Sequence, residues 1–173
     1  MDSYEFMLNF NLPRRDDDPE QYLDAIYEAG CSDASVGIGQ YGMIGLDFTR
    51  AAPSAEIALR SAIADVGRAI PGASLVRVGP DLVGLTETAE IFRFSRQNMR
   101  KYATGQLTGV RQAFPAPVII GEPSLWHLAE IISWLRLNTS VQAPANVFEV
   151  SKVAAEINHE VEGERLKIIR ELA

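Results

Sequence analysis

The sequence contains one cysteine, Cys31, and two histidines, His127 and His159. A lone thiol excludes an internal disulfide framework and any thiolate metal cluster. No apolar run approaches the roughly 18 residues that a membrane-spanning helix requires. The opening Met1-Asp2-Ser3-Tyr4-Glu5 is acidic and lacks the basic-then-apolar order of a signal peptide. Basic charge is also scarce, with 16 cations against 23 anions and a net charge of −7. A phosphate-binding protein is usually expected to carry the opposite balance. These absences predict a soluble, cytoplasmic protein that is not an enzyme, with no catalytic, cofactor or metal residues.

What is present is an ordinary globular composition, 47% hydrophobic and 23% charged over 173 residues. That length suits one domain or two small ones. The charge is unevenly spread. Between Ile91 and Gly121 the charged residues are Arg93, Arg96, Arg100, Lys101 and Arg111, with no carboxylate among them. The rest of the chain holds 11 cations against 23 anions, a net −12. The sequence thus carries a basic island within an acidic body.

Along the first 80 residues, strand-like alternation and helical spacing take turns. Residues 4–12 alternate as a strand, and Asp18-Pro19 reads as an N-cap followed by proline at the first helical position. Tyr22, Leu23, Ile26 and Tyr27 follow at helical spacing up to Gly30. Residues 34–38 and 43–49 read as two strands around a glycine-rich turn. Pro53-Ser54-Ala55-Glu56 opens a second helix, with Ile57, Ile63, Val66 and Ile70 as its expected apolar stripe. Residues 74–78 supply a fourth strand. This βαββαβ order predicts an α+β fold with an N-terminal ferredoxin-like sandwich over residues 1–80, a possible sensor or protein-interaction module. A helical module over 84–137 and a C-terminal helix within 144–173, beginning near Ala145, complete the expected organisation.

Residues 85–102 predict two short helices. Thr86 is the expected cap of the first, with Glu87 and Glu90 near its positive end. Ser95 caps the second, which turns Met99 and Tyr102 inward with Phe94 and leaves Arg96, Gln97, Arg100 and Lys101 outward. Arginine and glutamine suit guanine and adenine edges, and lysine suits phosphate. Residues 114–135 then predict two short strands and a helix, with Trp126 and Trp134 as core. The elements Phe114-Pro115-Ala116-Pro117, Trp126, and Glu130-Ile131 followed by Trp134-Leu135 resemble the AlpA/excisionase branch of MerR-like winged helix-turn-helix proteins. The resemblance covers residues 85–135. It implies a β-wing behind a recognition helix, and dimerisation of the kind MerR-like regulators often achieve through a terminal helix. Two residues depart from the family. Arg93 occupies a turn usually held by glycine, so it must adopt φ > 0 or change the turn. Glu122 stands at the wing tip, where basic residues are frequent, and would repel phosphate.

Other motifs read more simply. Gly37-Ile38-Gly39-Gln40-Tyr41-Gly42 matches G-x-G-x-x-G, but a strand-like Met43-Ile44-Gly45-Leu46 follows where a dinucleotide site needs a helix, so it reads as a hairpin turn. Asp16-Asp17-Asp18 lacks the glycine and distal glutamate of a calcium loop. His127 and Cys31 read as structural. In the terminal helix Val147, Val150, Val153, Ala154, Ile157, Val161, Ile168 and Leu172 are the apolar positions, packing on the chain's own domain or pairing with a second copy.

The function this predicts is a DNA-binding transcriptional regulator acting on double-stranded DNA as a homodimer, with no membrane partner. Its expected DNA-binding residues are Arg93, Ser95, Arg96, Gln97, Asn98, Arg100, Lys101 and Arg111. An excisionase-like or antitoxin-like DNA-binding factor remains open, as does an adaptor for a protein or small molecule that no longer reads DNA.

Overall fold

The computed structural model describes residues 1–144 and 146–172. The chain divides into two compact units. One comprises Met1–Gly79 with the C-terminal segment from Val153, and the other is Pro80–Lys152. The fold is mixed α and β, with a four-stranded antiparallel sheet and six α-helices among the described residues. Among those residues, no helix is long and apolar enough to cross a membrane.

In the first unit, β1 (Asp2–Asn11) and β3 (Met43–Ala52) pair along their whole length, and β2 (Ala34–Gly37) and β4 (Ser74–Gly79) flank them. The sheet order is β2-β3-β1-β4, so each helical connection crosses over a neighbouring strand. Period-two alternation sends Tyr4, Phe6, Leu8 and Phe10 of β1 and Ile44, Leu46 and Phe48 of β3 to one buried face. Phe6 and Phe48 are register partners with rings stacked at 5.2 Å.

The helices α1 (Leu23–Glu28) and α2 (Ala55–Ala69) belong to this unit. Asp18 caps a short 3-10 turn ahead of α1 by accepting from the Glu20 N–H, with Pro19 at its first position. Ser54 caps α2 by accepting from Ile57. The buried stripe of α2 runs through Ala55, Ala58, Leu59, Ala62 and Val66, not through Ile57, which is 51% exposed, or Ile63, which is half-buried. Small side chains let this helix approach its neighbours closely, so alanines rather than the bulkier isoleucines occupy the contact.

The G-x-G-x-x-G stretch is the β2–β3 connection, and a strand follows it. Gly42 is required there. Its φ is +73°, and a Cβ would lie 2.6 Å from the Arg15 carbonyl oxygen. Across from it, the three aspartates do separate jobs. Asp16 pairs with Arg14, Asp17 accepts from the Arg14 N–H and the Tyr22 hydroxyl, and Asp18 is the cap.

The terminal helix α6 runs Val147–Glu171, and its expected start at Ala145 lies outside the described residues. It does not stand as a segment of its own, because from Val153 onward it groups with the sheet. Ala154 and Ile157 are buried, and Glu160 pairs with Arg60 of α2 at 2.9 Å. Asn158 treats β4 as an adjoining strand would: its amide Nδ2 donates to the Val78 carbonyl and its Oδ1 accepts from the Val78 N–H. Beyond this point the apolar set changes, and Ile168 and Leu172 are exposed.

Candidate functional site

The second unit holds β5 (Leu82–Val83), α3 (Leu85–Phe92), α4 (Arg96–Ala103), β6 (Trp126–His127) and α5 (Leu128–Asn138). The N-cap of α3 is Gly84, not Thr86, which lies inside the helix. No side chain caps that end. Thr88, fully buried, donates to the Gly84 carbonyl at 2.8 Å.

The turn between α3 and α4 is closed by Arg93 in the left-handed region, at φ 56° and ψ 38°. Its N–H donates to the Glu90 carbonyl, and the Phe94 N–H donates to the Ala89 carbonyl. The backbone thus adopts a conformation that favours glycine while keeping a cationic side chain. Ser95 then caps α4 by accepting from the Asn98 N–H at 3.2 Å.

Met99 faces the core with no exposed surface, and Tyr102 is half-buried. Six rings then run in sequence: Phe92, Phe94, Tyr102, Trp134, Phe114 and Trp126, each 5.0–6.2 Å from the next. They link α3, α4, α5, the proline-rich segment and β6. The two indole N–H groups donate to carbonyls of that segment, Trp126 to Pro115 and Trp134 to Gln112. Asn138 at the end of α5 accepts from the N–H groups of Arg111 and Gln112. Pro-x-Pro removes backbone donors there, and the Pro115 carbonyl is taken by the Trp126 indole.

This packing turns the expected contact residues to solvent. Arg93, Ser95, Arg96, Gln97, Asn98, Arg100, Lys101 and Arg111 are all exposed. Arg96, Gln97, Arg100 and Lys101 come together on the outer face of α4. Arg111 stands on the loop after α4, and the Ser95 hydroxyl is committed to its cap. The unit Pro80–Lys152 carries seven cations against six anions, whereas the remainder of the chain has a net −8.

The two expected wing strands are reduced to one bridge, Ile119 to Leu125. Val118 and Ile119 donate to the Leu125 carbonyl, and Leu125 donates back to Ile119. Past Leu125 the returning arm pairs instead with β5, Leu82 opposite His127 and Val83 opposite Trp126. The tip is tied by Ser124, whose hydroxyl accepts from the Gly121 N–H and donates to the Gly121 carbonyl.

Between α3, α4 and this hairpin lies an open groove of about 850 Å³, walled by Glu87, Glu90, Arg96, Arg100 and residues 121–126. Glu90 stands 4.0 Å from Arg96. Partial burial in the groove pushes the Glu87 carboxyl above its ordinary value, and Glu90 one turn away adds to the shift. Sequence reasoning placed the glutamates only by their helix end. Their i,i+3 spacing and closeness to Ser95-Arg96 were the available signal.

A second cluster was not anticipated. His127 Nδ1 lies 2.6 Å from Asp81 Oδ1, and the Asp81 carbonyl accepts from Leu128. Asp81 is buried, so the pair clamps the start of β5 to the start of α5. Cys31 is buried, and burial pushes its thiol above the ordinary value. No group of three or more metal-ligating side chains occurs among the described residues. No family model, curated protein or solved structure matches this chain.

Proposed function

We propose that the protein is a DNA-binding transcriptional regulator in which α3, its turn and α4 form a helix-turn-helix, and the 118–125 hairpin is the wing. On this reading the β2-β3-β1-β4 sheet with its helices is a ferredoxin-like sandwich, and the AlpA/excisionase-type resemblance extends over residues 85–135. The observation that carries the proposal is the outer face of α4. Arg96, Gln97, Arg100 and Lys101 are exposed together while Met99 and Tyr102 anchor the helix behind them. A short helix with a rigid back and a front of two arginines, a lysine and a glutamine has the chemistry of a major-groove reader. The acidic remainder of the chain disfavours non-specific phosphate binding and confines attraction to that face.

One module has a small footprint, so binding as a homodimer to two half-sites is the economical arrangement. Selection from a random duplex library, followed by titration at several salt concentrations, tests the reading. A defined motif should emerge, with affinity that falls steeply as salt rises. Loss of the four α4 side chains to alanine should abolish it. If no motif enriches, the proposal fails.

The second reading, a protein or ligand adaptor built on the same module, draws support from the groove beside α4. Three carboxylates, Glu87, Glu90 and Glu122, line it. The same selection separates the two, because an adaptor enriches no duplex sequence.

A further inference from the structure

The outgoing arm of the hairpin is unusual for a protein surface. Val118, Ile119 and Ile120 are consecutive and expose 52%, 46% and 88% of their surfaces. The hairpin is well fixed, by three backbone hydrogen bonds to or from Leu125, by Ser124 across the tip, and by Trp126 on Pro115. The arm therefore presents these aliphatic groups on a rigid frame. Its chemistry does not suit phosphate, because no cation occurs between Arg111 and Arg136 and Glu122 stands at the tip.

The backbone of the arm is also unfinished. Ile119 is paired with Leu125 on the inner side. Among the described residues, the N–H of Ile120 and the carbonyl of Val118 have no hydrogen-bond partner. These two groups lie on the outer edge of a short strand made of strongly β-favouring residues. Pro117 before it and Gly121 after it limit the edge to three residues.

We propose that this arm pairs with the same arm of a second copy of the chain, antiparallel across a two-fold axis. Ile119 would face its own equivalent, and Ile120 would lie opposite Val118 of the other copy. The Ile120 N–H of each copy then donates to the Val118 carbonyl of the other, giving two bonds by symmetry and using the two unpartnered groups. The segment is self-complementary, since it is uncharged and aliphatic throughout and Glu122 falls outside the paired stretch. Addition of a strand to an exposed edge is a common mode of recognition. Three residues a side cover far less than the roughly 1,200 Å² of a stable interface. The contact is accordingly weak in free solution, and becomes effective where two copies are already held side by side. That last step alone rests on the DNA-binding reading above.

The test is a concentration series on the full chain labelled with nitrogen-15, without DNA, from micromolar to millimolar protein. The amide signals of residues 118–120 should move with concentration, and exchange of the Ile120 amide should slow. Ile120→Lys should abolish both effects while leaving the remaining spectrum in place, and Ile120→Val should retain them. A series in which these signals stay fixed overturns the proposal, as does an Ile120→Lys series identical to wild type. With duplexes obtained by selection, the uncharged substitution Ile120→Gln should reduce affinity for paired half-sites by about tenfold more than affinity for a single half-site. An equal loss on single and paired half-sites would mean that the arm acts on DNA and not on its equivalent, and would overturn the pairing. Failure to bind any duplex would remove the DNA reading and leave the concentration series to decide the pairing.

Discussion

Arg93 closes α3 by donating its backbone N–H to the Glu90 carbonyl at 3.1 Å, from a left-handed conformation at φ 56°. A residue with a Cβ gives up roughly 1–2 kcal/mol in that region, of which glycine would recover part after its own entropic cost. Arg93→Gly should therefore stabilise the protein by about 0.5–1 kcal/mol in denaturant titration. If the guanidinium meets phosphate, the same variant should bind its selected duplex more weakly, with a salt dependence shallower by about 0.9 in the log–log slope. A variant no more stable than wild type would show that this turn carries no strain.

The exposed face of α4 separates two kinds of contact. Arg96→Ala or Arg100→Ala should cost roughly 1–3 kcal/mol on the selected duplex and relax its sequence preference where the guanidinium reads a base. Lys101→Ala should weaken all duplexes alike and lower the salt slope by about one. Fluorescence anisotropy on matched and single-mismatch duplexes distinguishes the two patterns.

Arg50 lies almost wholly buried between two carboxylates. It donates to both oxygens of Asp33, and to Asp65 and the Ser61 hydroxyl. Burial opposes its charge, but the bonds to Asp33 and Asp65 outweigh that and raise its affinity for the proton. Arg50→Met should destabilise the protein by about 3 kcal/mol, because Asp33 loses its counter-ion in a poorly solvated place and Asp65 is left with Arg68 alone. A loss below about 1 kcal/mol would show that solvent reaches both acids.

Cys31 gives a pH prediction. Its thiol is raised in the folded protein, chiefly by burial and then by Asp65, so the folded state holds its proton more tightly than the unfolded chain does. Stability from this group is intact below the ordinary thiol range and declines as pH rises through it. Cys31→Ala should flatten that alkaline decline in denaturation curves. Alkylation of the native thiol should be slow, and should become fast in denaturant.

Much of this architecture was legible because it is written locally. Ser54, Ser95 and Asp18 signal helix starts through a single hydrogen bond to a residue two or three positions on. The strand after Gly42 disposes of the nucleotide-site reading without any tertiary knowledge. The failures are of another kind. Hydrophobicity alone points Ile57 at the core, whereas closeness of approach makes Ala58 and Ala62 the contact residues. Thr86 has the right chemistry for a cap, but the helix starts after Gly84, two residues earlier, and no side chain caps it. The returning arm of the hairpin found a partner in Leu82–Val83, about forty residues upstream, which no local pattern announces. The pair of Asp81 and His127 and the grip of Asn158 on Val78 are equally remote in sequence. The candidate site was legible where it consists of one helix, at Arg96, Gln97, Arg100 and Lys101. Its acidic wall was not, because Glu122 meets Glu87 and Glu90 only through the fold.

The grip of Asn158 on Val78 has a consequence for synthesis. The first four strands leave the ribosome long before the residue that covers their outer edge. At roughly 5–20 residues per second, the eighty positions between Val78 and Asn158 take about 4–16 s to appear. For that interval β4 offers its open side to any passing strand. The last helix thus acts as a latch that arrives late. A fragment ending at Gly79 would never receive it, so a shortened version of the first unit should be built with residues 153–172 rejoined.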